Sequence, residues 1–546
     1  MNYGFIIDNR KCIGCHACTV ACKSEHDVPV GVNRTWVKQT EKGEFPDTRR
    51  LFSVLRCNHC EDAPCVTICP VEALYTREDG IVDFNNDRCI GCKSCMQACP
   101  YDALYIDPET QTAAKCNYCA PRIDVGLEPA CVNVCPEHAI ISGDMDNPNS
   151  EIATMLGREQ VTVRKPEKST IPNVFYIDGD YASLNPGTTE RSDQYIWNSQ
   201  SSGVGHYARF VESLAKKTDP QNPTGDVQIN TIKSTTTTWA NTDDAKCAFD
   251  IEKKTLEMDD ARRIYDTPDK GILWGWEVSG YVMTKAISAG VFLIAFLALA
   301  FNFSAVSMTN IYITAGAGLL FLILTGVLLI MDLDQPKRFV YVLLRPQWKS
   351  WLVRGGYSIS VYGLLLTLFA VAHYFSLRTM AEIILWIGAA TAVLVAVYTA
   401  FLFAQAKGRD FWQSPTLALH MLIHSFMAGA AFFSITNMFY GSSMEWEQLL
   451  KTVLFISIGV NLFIMLIELT ITHPTDDAKR VSHDIVGGRY KKLFWMGTIF
   501  VGNVLPLILL FLGGATLAAI AGLLIIIGIY FTEKIWIEAP QRIQLT

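Results

Sequence analysis

Apolar and polar positions divide this chain into two unlike halves. From Val278 onward, eight apolar stretches have membrane-spanning length: 278–303, 309–331, 355–376, 381–404, 417–440, 451–472, 493–512 and 514–537. The last two meet at Gly513-Gly514, which predicts a tight hairpin. Before about Lys270 the apolar runs are short. Ile81-Val82-Asp83, Leu104–Asp107, Val161–Val163 and Val174–Ile177 read as strands. His206–Lys217 reads as a helix with Tyr207, Phe210, Val211 and Leu214 on one side. Around that helix the chain is rich in Asn, Thr, Pro and Gly, including Thr235–Thr238, and reads as an extended strap or a disordered linker. The pattern therefore predicts an α+β domain over 1–180, a linker or strap over 181–270, and an all-α membrane bundle over 271–546.

Cysteine usage changes the picture of the first domain. Sixteen of the 17 cysteines fall between Cys12 and Cys135, in four groups of four. Cys12, Cys15, Cys18 and Cys22 are spaced C-x2-C-x2-C-x3-C, and Cys89, Cys92, Cys95 and Cys99 repeat that spacing. Cys57, Cys60, Cys65 and Cys69 are C-x2-C-x4-C-x3-C; Cys116, Cys119, Cys131 and Cys135 are C-x2-C-x11-C-x3-C. The first spacing is that of bacterial [4Fe–4S] ferredoxins, where the fourth cysteine ligates the other cluster of a pair. The arrangement predicts a ferredoxin-like domain with four [4Fe–4S] clusters in two crosswise pairs. Disulfides suit small secreted scaffolds, and zinc favours paired C-x2-C units with longer gaps. The phrases Cys69-Pro70-Val71-Glu72-Ala73-Leu74, Cys99-Pro100-Tyr101-Asp102-Ala103-Leu104 and Cys135-Pro136-Glu137-His138-Ala139-Ile140 are variants of one another. Each predicts a short helix after the fourth cysteine, then a strand. Segments this short bury little core, so metal binding and folding should be one event. Cys247 stands outside the framework and reads as a free thiol.

Charge sets the orientation. With an even number of spans both chain ends share one side. Loops on that side carry Lys337, Arg338, Arg345, Lys349, Arg354, Lys407, Arg409, Lys479, Arg480, Arg489, Lys491 and Lys492, against Arg378 and Lys451 opposite. Lys and Arg mark the cytoplasmic side, so the cluster domain is expected at the cytoplasmic face of an inner membrane. Met1–Asp8 shows no basic, apolar leader, in keeping with that side. The net charge of −7 is small for 546 residues and gives no reason to expect a nucleic-acid partner.

Polar residues inside the spans are costly and mark candidate sites. Glu277, Tyr281, Thr284, Lys285 and Ser288 share one face of the first span, and at ~1.5 Å per residue Lys285 lies roughly 10 Å inside. Ser457, Asn461, Glu468 and Thr472 form a stripe in the sixth span, and His420 and His424 are one turn apart in the fifth. A quinone has two carbonyl oxygens that need donors and takes up two protons with two electrons. Tyr281, Lys285 and His424 have the chemistry for it. Polar glue between helices is the other reading. A proton path through Glu277, Lys285 and Glu468 is a further one, and would make the spans an ion-translocating module. An i, i+4 histidine pair cannot ligate both faces of one haem, and no haem is expected.

Two stretches carry a family resemblance. The cysteine domain resembles the four-cluster electron-transfer subunits of the molybdopterin oxidoreductase superfamily. Asp332-Leu333-Asp334-Gln335-Pro336-Lys337-Arg338-Phe339, Pro346 with Ser350–Gly356, and Trp274-Gly275-Trp276-Glu277 with Tyr281 resemble the NrfD-like anchor of polysulfide reductase. The resemblance implies that the first cysteine group pairs with the fourth and the second with the third. The implied sets are Cys12, Cys15, Cys18 and Cys135; Cys22, Cys116, Cys119 and Cys131; Cys57, Cys60, Cys65 and Cys99; and Cys69, Cys89, Cys92 and Cys95. It further implies a haem-free quinone site (menaquinone or ubiquinone) near Trp276, Glu277 and Tyr281, and a large partner protein with molybdenum or tungsten bis-pterin that holds the substrate site. Electron-transfer and anchor subunits are usually separate in that family; here they are fused.

Overall fold

The computed structural model describes residues 1–43, 46–189, 261–301, 306–441 and 443–546. The helix expected at His206–Lys217, Thr235–Thr238 and Cys247 lie outside them.

The first domain is built on β1 (Tyr3–Asp8), whose residues from Phe5 on are buried. It pairs antiparallel with β8 (Ile140–Asp144) and parallel with β10 (Val174–Ile177), and β9 (Val161–Thr162) closes the sheet beside β10. A second sheet joins β2 (Thr35–Lys42), β3 (Arg49–Arg56) and β11 (Ala261–Tyr265). Two hairpins, β4 (Leu74–Thr76) with β5 (Val82–Phe84) and β6 (Leu104–Ile106) with β7 (Ala113–Lys115), follow the second and third cysteine groups. Part of the segment expected as a linker is folded here. Residues 181–188 form a short helix and a 3-10 turn, and β11 is a true sheet edge, its Arg263 paired with Asp266 at 2.9 Å.

The expected helices after the fourth cysteines are corrected. The short helices precede those cysteines: Pro64–Ile68, Ser94–Ala98 and Ala130–Asn133. A residue before proline is driven from helical to extended backbone. Cys69 and Cys99 obey that rule, with ψ of 118° and 116°, and so end their helices. Two residues beyond each proline the chain turns through positive φ, at Glu72 (51°), Asp102 (54°) and His138 (47°).

The second half holds eight helices, among the described residues, long and apolar enough to cross a membrane: Trp276–Ala300, Met308–Met331, Trp351–Tyr374, Arg378–Gln405, Thr416–Tyr440, Met444–Thr470, Leu493–Leu512 and Ala515–Gln541. The protein is thus a multi-pass membrane protein. The first span is the most enclosed and packs on the second, fourth, fifth and eighth. It meets the fifth through two glycines: a Cβ on Gly429 would stand 2.2 Å from the Gly290 carbonyl carbon. The seventh span is a π-helix over Leu493–Val504, a widening the sequence pattern did not signal. Asn503 donates back to the Thr498 carbonyl at 2.8 Å and accepts from Asn461 at 3.0 Å. Thr472 lies exposed beyond the sixth span's end, so it drops out of the stripe with Ser457, Asn461 and Glu468, which are buried.

Candidate functional site: a chain of thiol sets ending at a buried polar cluster

The cysteine turns set the local geometry. In Cys12-Ile13-Gly14-Cys15 and Cys89-Ile90-Gly91-Cys92 the glycines sit at φ 69° and 70°, which an L side chain rarely adopts. The backbone thereby curls its thiols toward one centre. Cys12, Cys15, Cys18 and Cys135 line one cavity. Cys69, Cys89, Cys92 and Cys95 line another. Cys22 lies beside Cys116, Cys119 and Cys131, and Cys65 beside Cys57, Cys60 and Cys99. The four groupings are the crosswise sets that the resemblance implies. Among the described residues no three His, Cys, Asp or Glu side chains converge on a single-ion position. Two of the sets ring small cavities instead, which suits a polynuclear cluster better than one zinc ion.

Further contacts order the sets. Cys18 lies in electrostatic reach of Cys131, Cys116 of Cys57, and Cys95 of Cys65. The sets therefore run in one line, from the exposed Cys15 to the set holding Cys92. Burial pushes the thiols of Cys18, Cys92 and Cys116 up to about 12, so a metal must displace their protons. Arg56 is fully buried between the first two sets. Its Nη1 donates to Cys131 Sγ at 3.2 Å, while its Nε and Nη2 have no hydrogen-bond partner among the described residues. Buried donors left without protein acceptors fit the sulfides of a cluster in that space.

The last set rests on the membrane half. Trp274 Nε1 donates to the Cys92 carbonyl at 3.1 Å, and its ring stacks on Trp412 at 5.6 Å. Lys93 pairs with Asp334 at 3.0 Å and donates to the Asp332 carbonyl at 2.9 Å. The amides of Asp334 and Gln335 donate to the Gly91 and Ile90 carbonyls. The Asp332–Phe339 segment is thus the seat of the fourth thiol set. Arg338, Lys407 and Arg409 also grip the cluster domain, through Cys89 O, Asp62 and Gln97. Lys337, Arg345, Lys349, Arg354, Lys491 and Lys492 remain exposed on that side.

Below this junction lies a buried polar cluster. Tyr281 and Lys285 are both buried on the first span. Lys285 Nζ donates to Thr399 Oγ1 at 2.6 Å and sits 4.6 Å from the centre of the Tyr398 ring. Tyr281 lies close to the same threonine. Gly355 makes room for Tyr398, since a Cβ there would fall 2.2 Å from the ring. Thr284 and Ser288 are instead tied to Thr325 Oγ1 and the Gly318 carbonyl of the second span, as helix–helix polar contacts. Trp276 is 52% exposed and Glu277 is half-buried at the helix start, so neither joins Tyr281 and Lys285 in the interior. His424 is buried and bonded to His420 and to Glu533 of the eighth span. Glu533 went unremarked in the sequence, although an acid inside an apolar run is itself a signal.

These features define a class: a membrane-embedded iron–sulfur electron-transfer protein. Two 4Fe-4S dicluster domain models match residues 11–74 and 48–145, and a model described as polysulphide reductase, NrfD, matches 267–532. Over 200 residues the protein is 50% identical to one subunit of the tetrathionate reductase of Salmonella typhimurium, a match covering 36% of this protein and 79% of that one. It is 44% identical over 180 residues to one component of the polysulfide reductase of Wolinella succinogenes, covering 32% of this protein and 93% of that one. Protein NrfC of Escherichia coli K12 is 40% identical over 188 residues, covering 34% and 84%. The protein belongs to the family of iron–sulfur electron-transfer subunits of the molybdopterin-type reductases, here continuous with an NrfD membrane anchor.

Proposed function

We propose that the protein relays electrons through four [4Fe–4S] clusters between a catalytic partner and a quinone held beside Tyr281 and Lys285. The observation that carries this reading is the linear order of the thiol sets, from exposed Cys15 to the Trp274 junction above the first span. When bound, the clusters supply one-electron transfer. The protein's own residues do the rest. The sixteen cysteines hold the four sets, and Arg56 offers positive charge and donors between the first two. Tyr281, Lys285 and Thr399 present O–H and N–H donors to the carbonyl oxygens of a quinone, which takes two electrons and two protons to become a quinol. The partner docks around Cys15 and carries molybdenum or tungsten bis-pterin. Its substrate is an inorganic sulfur compound, as the names of the relatives suggest. The exposed cations on the cluster side support a cytoplasmic position for that domain.

The test is a pair of variants in the membrane-bound complex. Tyr281→Phe and Lys285→Gln lower quinone-coupled turnover by about tenfold or more, with reduction of a dye at the clusters retained. Unchanged quinone turnover in both removes them from the site.

A further inference from the structure

We infer that Glu468, His420, His424 and Glu533 form a proton relay joining the cluster-side membrane surface to the polar cluster at Lys285. The inference rests on the quinone reading above and assigns the route of the protons that reading requires.

The four side chains come from the fifth, sixth and eighth spans and form an unbroken series. Glu468 Oε2 meets His420 Nδ1 at 3.0 Å, His420 Nε2 meets His424 Nε2 at 3.1 Å, and His424 Nδ1 meets Glu533 Oε1 at 2.7 Å. All four residues are at most 4% exposed. The outer end reaches the surface through hydroxyls. Thr416 donates to Glu468 Oε1 at 2.6 Å and lies 2.5 Å from Ser414, and both are only half-buried. At the inner end, Glu533 lies in electrostatic reach of Lys285, whose Nζ donates to Thr399, close to Tyr281.

Counting protons shows what the series can do. Three hydrogen bonds in a row hold three protons. A neutral imidazole carries one N–H, so two neutral histidines supply two. The third sits on one carboxyl group. With it on Glu468, every donor points toward Glu533; with it on Glu533, every donor points back. A concerted shift of three protons interconverts the two patterns and moves one proton's charge from end to end. The series carries one negative charge in either pattern: on Glu533, near Lys285, when the proton sits on Glu468, and on Glu468 when it sits on Glu533. Fixed polar glue has no such second pattern: Asn461 and Asn503 bind each other in the same bundle without any titratable group.

The chemistry balances as quinone + 2 e⁻ + 2 H⁺ ⇌ quinol. Electrons arrive or leave by the clusters. Each proton enters at Glu468 from the Thr416 side and leaves at Glu533 toward the polar cluster at Lys285, or travels in reverse when quinol is oxidised.

Glu533→Gln separates relay from glue, because glutamine keeps a hydrogen bond to His424 yet carries no exchangeable acid proton. The experiment uses the full-length protein in proteoliposomes with menaquinone, its clusters reduced chemically. The expected result for E533Q, and for E468Q as an independent second variant, is cluster re-oxidation by quinone about 10²-fold slower, with apparent quinone affinity and re-oxidation by ferricyanide unchanged. Infrared spectra of the unsubstituted protein show one protonated-carboxyl band that both variants alter, with no quinone needed. Quinone re-oxidation at the unsubstituted rate in both variants overturns the relay alone. If menaquinone fails to re-oxidise the unsubstituted protein while the carboxyl band persists, the quinone site falls, and the relay loses its destination with it.

Discussion

Arg56 shows how one side chain acts on a redox centre. It is fully buried, lies 4.4 Å from the Phe5 ring centre, and donates to Cys131. A cation beside a cluster favours the reduced, more negative state. Arg56→Met should therefore shift the potential of the set holding Cys131 to more negative values, measured by electron paramagnetic resonance titration. An unmoved potential would mean that the guanidinium only fills space. At this scale the sixteen thiols were legible because their spacing is local. Arg56, Thr399 and Glu533 were not, because each works through partners distant in sequence. Trp276 and Glu277 show the converse: near a buried tyrosine in sequence, and Glu277 on the same helix face, yet left exposed and half-buried because they form the first turn of the helix.

At the scale of elements, two close approaches matter most. Gly290 and Gly429 let the first and fifth spans touch at the backbone, so each buried ionisable group can reach its partner. Gly429→Leu should cost about 1–3 kcal/mol or more from overpacking, read as a lower unfolding temperature in detergent with cluster content unaltered. The junction loop has a similar constraint, since a Cβ on Gly408 would lie 2.6 Å from the Gln97 carbonyl and 2.8 Å from that of Cys99. Gly408→Val should part the cluster domain from the bundle, retaining the iron signal but slowing quinone-coupled re-oxidation. The eight spans were legible from hydropathy alone. The π-helix was not, because it depends on Asn503 meeting Asn461 on another span. The Cys-Pro phrases were legible as a repeat but misread as helix starts; the proline restricts the cysteine before it, so they are helix stops.

For the whole molecule, the two halves are stabilised by different forces. Buried apolar helices hold the bundle, while thiols hold the short loops of residues 1–180. An iron chelator under reducing conditions should unfold the first half, seen as loss of visible absorbance and of protease resistance. Far-ultraviolet circular dichroism should retain most of its helical signal. A reporter fused after Thr546 should be active in the cytoplasm. Several of the cations that set this expectation also clamp the cluster domain, so charge bias and docking share the same residues.

What the sequence determined by itself is whatever depends on spacing within one segment: cysteine turns that gather thiols, and apolar runs of bilayer length. What only the tertiary structure decided is the order of the thiol sets, the docking of Asp332–Phe339 on Gly91, and the carboxylate–imidazole series across three spans. The physical reason is distance along the sequence. Glu468 and Glu533 meet their histidines from 48 and 109 residues away, and no local pattern encodes which buried charges a folded bundle brings within hydrogen-bond reach.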